Sequence, residues 1–311
     1  MKFQKQYTVL CGLLSCKNKE QNKHKSSYWS RKTKNFYTDK QTGVTGLSAI
    51  GKYSRNRVLS RIYHYLFQRL IFSFSNKIFS SPWYKLSKQC AEQQNRSVDM
   101  DILRHVFTFD LLDRYIFKKQ KINNVCVIGD GQSNFVSPAI RSNRFNKVVS
   151  VNIEEVLLND IFLIEKENLL EEEEVAIVTN DENLQVFLND NHTKLILIPA
   201  QKSKILTNIG IELFVNIASF QEMSVSVIKN YFEIIKSNNA YLYTFNREYK
   251  KLPGGEVLEF SKYPWDISGG GLSVIIDEYC PWYVKIYHMK FPYIVKISKA
   301  TRHKHKLVKY N

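Results

Sequence analysis

Cysteine is scarce and odd in number: Cys11, Cys16, Cys90, Cys126 and Cys280, with no Cys-x-x-Cys spacing. That excludes a disulfide framework and a zinc ribbon, and suits reduced thiols in the cytoplasm. No apolar run approaches the roughly 20 residues needed to cross a bilayer. Internal repeats, a metal-ligating cluster and an obvious nucleophile pattern are all missing, so no metal is expected. Acidic residues are depleted at one end only. Residues 1–120 hold 23 Lys/Arg against 7 Asp/Glu, whereas residues 121–311 hold 22 of each. The whole formal charge of +16 therefore belongs to the N-terminal part. A basic arm on a neutral domain reads either as solvated charge or as a contact for a polyanion.

What is present, 44% hydrophobic and 13% aromatic residues over 311 positions, suffices for one large α/β domain with an extension. The first residues leave two readings open. A basic Met1–Gln6, an apolar Tyr7–Ser15 and the box Leu13-Leu14-Ser15-Cys16 resemble an export leader. The alternative is a short helix that packs or touches a membrane surface. Residues 17–58 are polar and basic and read as extended or partly disordered. Helical spacing of Ile62, Leu66, Leu70, Ile71, Phe74 and Ile78 predicts a helix over Leu59–Phe79, accompanied by Arg55, Arg57, Arg61 and Arg69. It either caps the main domain or lies on a membrane surface. A new helix starts at Ser81-Pro82, and another covers Met100–Lys118. The expected organisation is a basic arm (1–58), a helical cap (59–120) and a catalytic domain (121–311).

From there strand and helix alternate. Strands are expected at Val125–Ile128, Lys147–Ile153, Val175–Thr179, Leu195–Ile198, Leu213–Ala218 and Tyr241–Phe245. Helices are expected at Glu154–Glu167 and Val225–Ser237, and β structure at Leu272–Glu278 and Tyr283–Tyr287. This pattern predicts an α/β fold: a Rossmann-like, doubly wound, mostly parallel sheet with C-terminal antiparallel strands. Ligands then bind at the carboxyl ends of the strands.

Three strand ends carry the chemistry. The first is Val125-Cys126-Val127-Ile128-Gly129-Asp130-Gly131-Gln132, a buried strand broken by Gly-x-Gly, as in loops that cradle nucleotides. The second is Asn152-Ile153-Glu154, where a polar or acidic group can bond a ribose. The third runs from Asn216 through Ser219 and Gln221 to Glu222, where an apolar strand abruptly turns polar. Glu222 either caps the next helix or touches substrate. The third glycine and tightly packed helix of a dinucleotide fingerprint are missing, so the loop order points to S-adenosylmethionine rather than NAD.

On these residues the chain, over 124–311, resembles the sugar O-methyltransferase family, a branch of the Rossmann-like S-adenosylmethionine-dependent methyltransferases. The resemblance rests on Val127-Ile128-Gly129-Asp130-Gly131, on Val151-Asn152-Ile153-Glu154 with Asp160-Ile161-Phe162-Leu163, and on Asn216-Ile217-Ala218-Ser219-Phe220-Gln221-Glu222-Met223. It continues through Asn246-Arg247-Glu248, Tyr263-Pro264-Trp265, Asp277-Glu278-Tyr279-Cys280-Pro281-Trp282 and His305-Lys306-Leu307-Val308. Val127, Ser133 and Asn152 depart from it, standing where such enzymes commonly carry an acid, a glycine and an aspartate.

The resemblance implies methyl transfer to a sugar hydroxyl of a surface glycan or its precursor. It implies S-adenosylmethionine held by Gly129, Asp130, Gly131, Gln132, Asn152, Ile153, Glu154 and Asn216. Ser219, Gln221, Asn246, Arg247, Tyr263, Trp265 and Trp282 are then expected around the sugar, the aromatics either stacking on it or filling the core. Glu222, Asp277 and His288 are the candidate bases. The expected location is cytoplasmic, with residues 1–80 available for peripheral contact with an anionic membrane surface. A degenerate, non-catalytic binding protein is the alternative. A nucleic-acid methyltransferase is disfavoured, because no Asn/Asp-Pro-Pro-Tyr/Phe motif occurs.

Overall fold

The computed structural model describes residues 2–15, 25–39, 43–45, 58–265, 271–290 and 294–311. The chain opens with helices α1 (Gln4–Ser15) and α2 (Ser27–Lys32) and a small hairpin, β1 (Tyr37–Asp39) and β2 (Gly43–Thr45). Three longer helices follow: α3 (Val58–Ile71), α4 (Pro82–Gln93) and α5 (Met100–Leu112). The expected single helix over Leu59–Phe79 instead ends at Ile71. A 3-10 segment, Ser73–Ser80, takes over, with non-helical dihedrals at Ser75. Ser81 then caps α4, its hydroxyl accepting the Tyr84 N–H, with Pro82 in the first turn.

From Asn124 on, the chain builds the sheet: β3 (Asn124–Ile128), α6 (Val136–Arg141), β4 (Lys147–Asn152), α7 (Glu154–Glu167), β5 (Val175–Ile177), α8 (Asp181–Asn189), β6 (Leu195–Pro199), β7 (Leu213–Ile217), α9 (Val225–Ser237) and β8 (Tyr241–Arg247). A hairpin of β9 (Tyr249–Lys251) and β10 (Val257–Glu259) precedes β11 (Leu272–Tyr279). A second hairpin, β12 (Lys285–Lys290) with β13 (Ile294–Lys299), precedes β14 (His303–Tyr310).

Among the described residues the main sheet has eight strands in the order β11-β14-β8-β7-β3-β4-β6-β5. The six from β8 to β5 are parallel, and β14 runs antiparallel between β8 and β11. This is the mixed, doubly wound, Rossmann-like α/β sheet that the alternation predicts. β3 is central and buried on both faces, as a parallel strand must be. Alternate side chains part company there. Val125 and Val127 join α1, α4, α5 and α7 in one apolar cluster, while Cys126 and Ile128 join α8 and α9 in the other. The result is three layers, helix–sheet–helix.

The N-terminal part is integrated into this body. Phe3, Tyr7 and Leu10 of α1 are buried, and the Gln6 amide donates to the Val175 carbonyl at 2.6 Å. The segment forms a short helix packed on the body, as one of its two readings expects. Where an extended arm was expected, α2 and the β1–β2 hairpin are formed, and Ser26 caps α2 through the Trp29 N–H. The rest of that arm, 16–24, 40–42 and 46–57, lies outside the described residues. No helix among the described residues is long and apolar enough to cross a membrane.

Candidate functional site

Strand β3 leads to α6 and β4 on one side, while β7, on its other flank, leads to α9 and β8. Successive connections therefore diverge between β3 and β7, which opens a crevice beyond the carboxyl ends of β7, β3 and β4. These are the three strand ends singled out in the sequence, side by side in space.

The glycine loop shapes the crevice floor. Gly129 and Gly131 both have φ +78°. A Cβ on Gly129 would stand 1.9 Å from the Ser219 Oγ and 2.5 Å from its Cβ, so the loops after β3 and β7 touch through that glycine. A Cβ on Gly131 would meet nothing within 4 Å. That side of the loop is open. Ser133, where the resemblance expects a third glycine, keeps a glycine-like φ of +52°, and Ala218 on the opposite loop has φ +60°. Two non-glycine residues thus hold left-handed backbone at the crevice.

Beneath the loop lies a cluster that the sequence reading missed. Asp130 does not point outward. Its carboxylate accepts the N–H groups of Phe135 and Val136 at 2.9 Å and so caps α6. His105 of α5 approaches the same carboxylate at 3.5 Å. Burial pushes the Asp130 carboxyl up to about 6, against the pull of those N–H groups. Burial likewise pushes His105 down to about 4, leaving a neutral imidazole whose Nδ1–H donates to the Asp101 carbonyl at 2.7 Å. Asp160 of α7 sits alongside. Burial, and then the charge of Asp130, raise its carboxyl well above the usual range. Ser133 approaches Asp160 without completing a well-formed hydrogen bond. Buried Arg96 closes the cluster, donating to the Gln132 carbonyl at 3.1 Å and to its Oε1 at 2.6 Å. One signal for Asp160 was available: it interrupts the apolar stripe Val156, Leu157, Ile161, Ile164 of α7.

Several residues expected to touch a ligand are committed to holding the fold. Gln132 is engaged by Arg96. Asn216 donates to the Ile128 carbonyl at 3.0 Å, and its Oδ1 accepts the Phe220 N–H and the Asn246 amide. Asn246 in turn accepts the Gln221 N–H at 3.0 Å, and the Gln221 side chain accepts the Arg247 N–H at 2.8 Å. This network ties β3, β7 and β8 together at their carboxyl ends. Tyr263 and Trp265 are not a sugar platform. They pack in a buried aromatic cluster with Phe220, Phe232 and Phe260, and the Trp265 N–H donates to the Phe260 carbonyl. Trp282 stacks on Phe107 of α5 at 5.3 Å.

The groups that remain available are Gly131, Ile153, Asn152 and Arg247. Asn152 spends its Oδ1 on the Ile153 N–H, and its buried Nδ2 has no partner. Glu154 accepts from Gln201 at the start of α7. The Arg247 Nε is also buried without a partner.

Across the crevice runs a strap from the N-terminal part. Lys25 pairs with Glu155 after β4, and the Ser26 hydroxyl donates to the Glu222 carbonyl after β7. The Tyr28 hydroxyl lies near the Glu222 carboxylate, which meets Lys250 Nζ at 3.2 Å. Lys250 lies 4.3 Å from the Tyr28 ring centroid. Burial pushes the Glu222 carboxyl above the usual range, and the Lys250 ammonium opposes that shift without cancelling it. Glu222 does not cap α9, whose N-terminus has no side-chain cap.

The other two candidate bases stand elsewhere. Asp277 is on edge strand β11 and meets Lys304 at 3.0 Å and Lys306 at 2.9 Å. Burial would raise its carboxyl, but those two lysines hold it below the usual range. At about 4.8 Å per strand it lies roughly 14 Å from β7. His288 is on β12, in a hairpin outside the main sheet.

No family profile matches the sequence, and no curated protein matches it. Among the solved structures similar to the chain, several are named as methyltransferases, two of them as S-adenosylmethionine-dependent. One, from Anabaena variabilis, is 10% identical with a TM-score of 0.43, over 72% of this chain and 95% of that one. Another, from Aquifex aeolicus, is 11% identical with a TM-score of 0.35, over 64% and 89%. A third, from Pyrococcus horikoshii and named for RNA methylation, is 12% identical with a TM-score of 0.39, over 67% and 82%.

Proposed function

We propose that the chain is an S-adenosylmethionine-dependent O-methyltransferase acting on a sugar hydroxyl of a surface glycan or its precursor. The observation that carries the cofactor is the crevice beside β3. Gly131 leaves open space there, and Asn152 at the end of β4 holds a buried N–H donor with no protein acceptor. An unpaired buried donor is costly, and a ribose hydroxyl or carboxylate in the crevice would satisfy it. Glu154, at the start of α7, would serve the same ligand by giving up its bond from Gln201. The sugar acceptor rests on the sequence resemblance.

When bound, the cofactor supplies an electrophilic methyl group. The chain's own task is then to align an acceptor oxygen and take its proton. Glu222 fits the second role, because its raised carboxyl pKa makes it a better base near neutral pH than an ordinary carboxylate. Lys250, at 3.2 Å, holds its orientation, and Arg247 offers a cation for an acidic sugar. The strap, tied to Glu155 and Glu222, would shield the reacting atoms from water.

Calorimetric titration of the chain with S-adenosylmethionine and S-adenosylhomocysteine tests the reading, with Gly131→Ala as control. Saturable binding that the control weakens is the expected result. Absence of binding by folded protein would sink the proposal and leave a non-catalytic binding role.

A further inference from the structure

Helix α3 is turned inside out. Its buried positions are polar: Ser60, His64 and Gln68, four residues apart. Gln68 donates to the Val98 carbonyl at 2.6 Å and to the Tyr287 hydroxyl at 2.9 Å. His64 also meets that hydroxyl, and the Ser97 hydroxyl donates to Ser60 at 3.3 Å. The body of the protein thus grips α3 by hydrogen bonds. Its apolar side chains face outward: Val58 is 62% exposed, Leu59 51%, Ile62 48%, Tyr65 47%, Leu66 57% and Leu70 65%. At 3.6 residues per turn they span an arc of roughly 140°. Among the described residues the other exposed apolar side chains are scattered, whereas these form one stripe.

The charge around the stripe is mostly of one sign. Between Val58 and Ala91 the sequence carries Arg61, Arg69, Lys77, Lys85 and Lys88 and no Asp or Glu. A cavity of about 510 Å³ opens between α3 and α4. Stripe residues Ile62 and Leu66 form part of its wall, and Arg61, Arg69, Lys88 and Arg96 border it, with Glu92 the one acid there, 3.9 Å from Lys88. Arg69 is held there over the rings of Tyr65 and Phe79, at 4.5 and 5.1 Å.

We infer that α3 is a membrane-docking helix, which seats its apolar stripe at the surface of an anionic phospholipid bilayer with the neighbouring cations on lipid phosphates. An apolar helix face beside Lys and Arg is the composition that binds in the plane of such an interface. At about 1.5 Å per residue the fourteen residues of Val58–Ile71 give a patch roughly 21 Å long. The helix therefore lies on the membrane and does not cross it. A second copy of the chain is the poorer partner, because stripe-to-stripe packing would face Arg61 and Arg69 with their own like charges. RNA would meet the cations but gain nothing from the aliphatic side chains.

The test is co-sedimentation of the full chain with phosphatidylcholine vesicles, with and without phosphatidylserine, alongside gel filtration of the same samples. Wild-type protein is expected on the phosphatidylserine vesicles and not on phosphatidylcholine alone, with binding that weakens as salt rises. Ile62→Ser/Leu66→Ser/Leu70→Ser is expected to lower partitioning by roughly tenfold per side chain. These side chains are exposed, so its melting temperature should match wild type, and the single variant Leu66→Gln should move the same way. Three outcomes would overturn the inference: no vesicle binding by wild type, undiminished binding by both variants, or a wild-type dimer that the triple variant dissolves.

Discussion

Gly129 and Gly131 share a φ of +78° but not their surroundings, and alanine at each should separate backbone strain from crowding. Left-handed φ costs an L-residue about 1–2 kcal/mol. At Gly131 nothing lies within 4 Å of the new Cβ, so that strain is the whole expected loss. At Gly129 the new Cβ would stand 1.9 Å from the Ser219 Oγ and 2.5 Å from its Cβ. The hydroxyl can rotate away, but the Cβ moves only with the backbone. Overpacking of this kind adds about 1–3 kcal/mol, for a total of about 2–5 kcal/mol. Urea unfolding of both variants, repeated in a Ser219→Gly background, measures the difference as a double-mutant cycle. In that background Gly129→Ala should cost no more than about 1–2 kcal/mol, because only the strain remains. Equal losses at the two glycines, or a Gly129→Ala cost that Ser219→Gly leaves unchanged, would refute the reasoning. Gly131→Ala should meanwhile weaken S-adenosylhomocysteine binding more than tenfold by filling the open side of the loop.

Other consequences follow from the buried polar groups. Asn216→Ala should destabilise the protein by about 3 kcal/mol in urea, because it strands the Ile128 carbonyl, the Phe220 N–H and the Asn246 amide. Asp130 and His105 should give opposite pH trends. The folded pKa of Asp130 is raised from 3.8 to about 6, so its contribution is full below pH 4 and lost as pH rises through 6. The folded pKa of His105 is lowered from 6.5 to about 4, so its contribution is full above pH 6.5 and lost as pH falls through 4. Between pH 7 and pH 4, Asp130→Asn should therefore lose about 3 kcal/mol relative to wild type, and His105→Gln should gain about as much. Parallel trends would contradict the assignment. In the proposed reaction, Glu222→Gln should lower kcat by roughly 100-fold or more and remove the rise of rate through the carboxyl's elevated pKa. An unchanged pH profile would assign the proton to another group.

Much of the fold was legible in the sequence because the signals are local. The run Val125–Ile128 followed by Gly-x-Gly, the helix Glu154–Glu167 and the strand Leu213–Ile217 stand where hydrophobic period and glycine placement put them. Alternation of strand and helix was enough for a doubly wound sheet. The crevice followed too, since short right-handed crossovers leave few ways to order such strands.

What only the tertiary structure decided is which polar groups are spent and which faces are left bare. Asn216 and Ile128 are 88 residues apart, and Gln132 and Arg96 are 36 apart. Neither bond leaves a trace in local pattern, so residues that look free for a ligand turn out to be fastenings of the fold. Tyr263 and Trp265 read equally well as a sugar platform or as core until their neighbours are known. The α3 helix makes the point most sharply. Its period announced an amphipathic helix correctly, but period gives only the existence of two faces. Which one turns inward depends on what waits there, and here Val98 and Tyr287 offer hydrogen bonds to the polar side, leaving the apolar side outward.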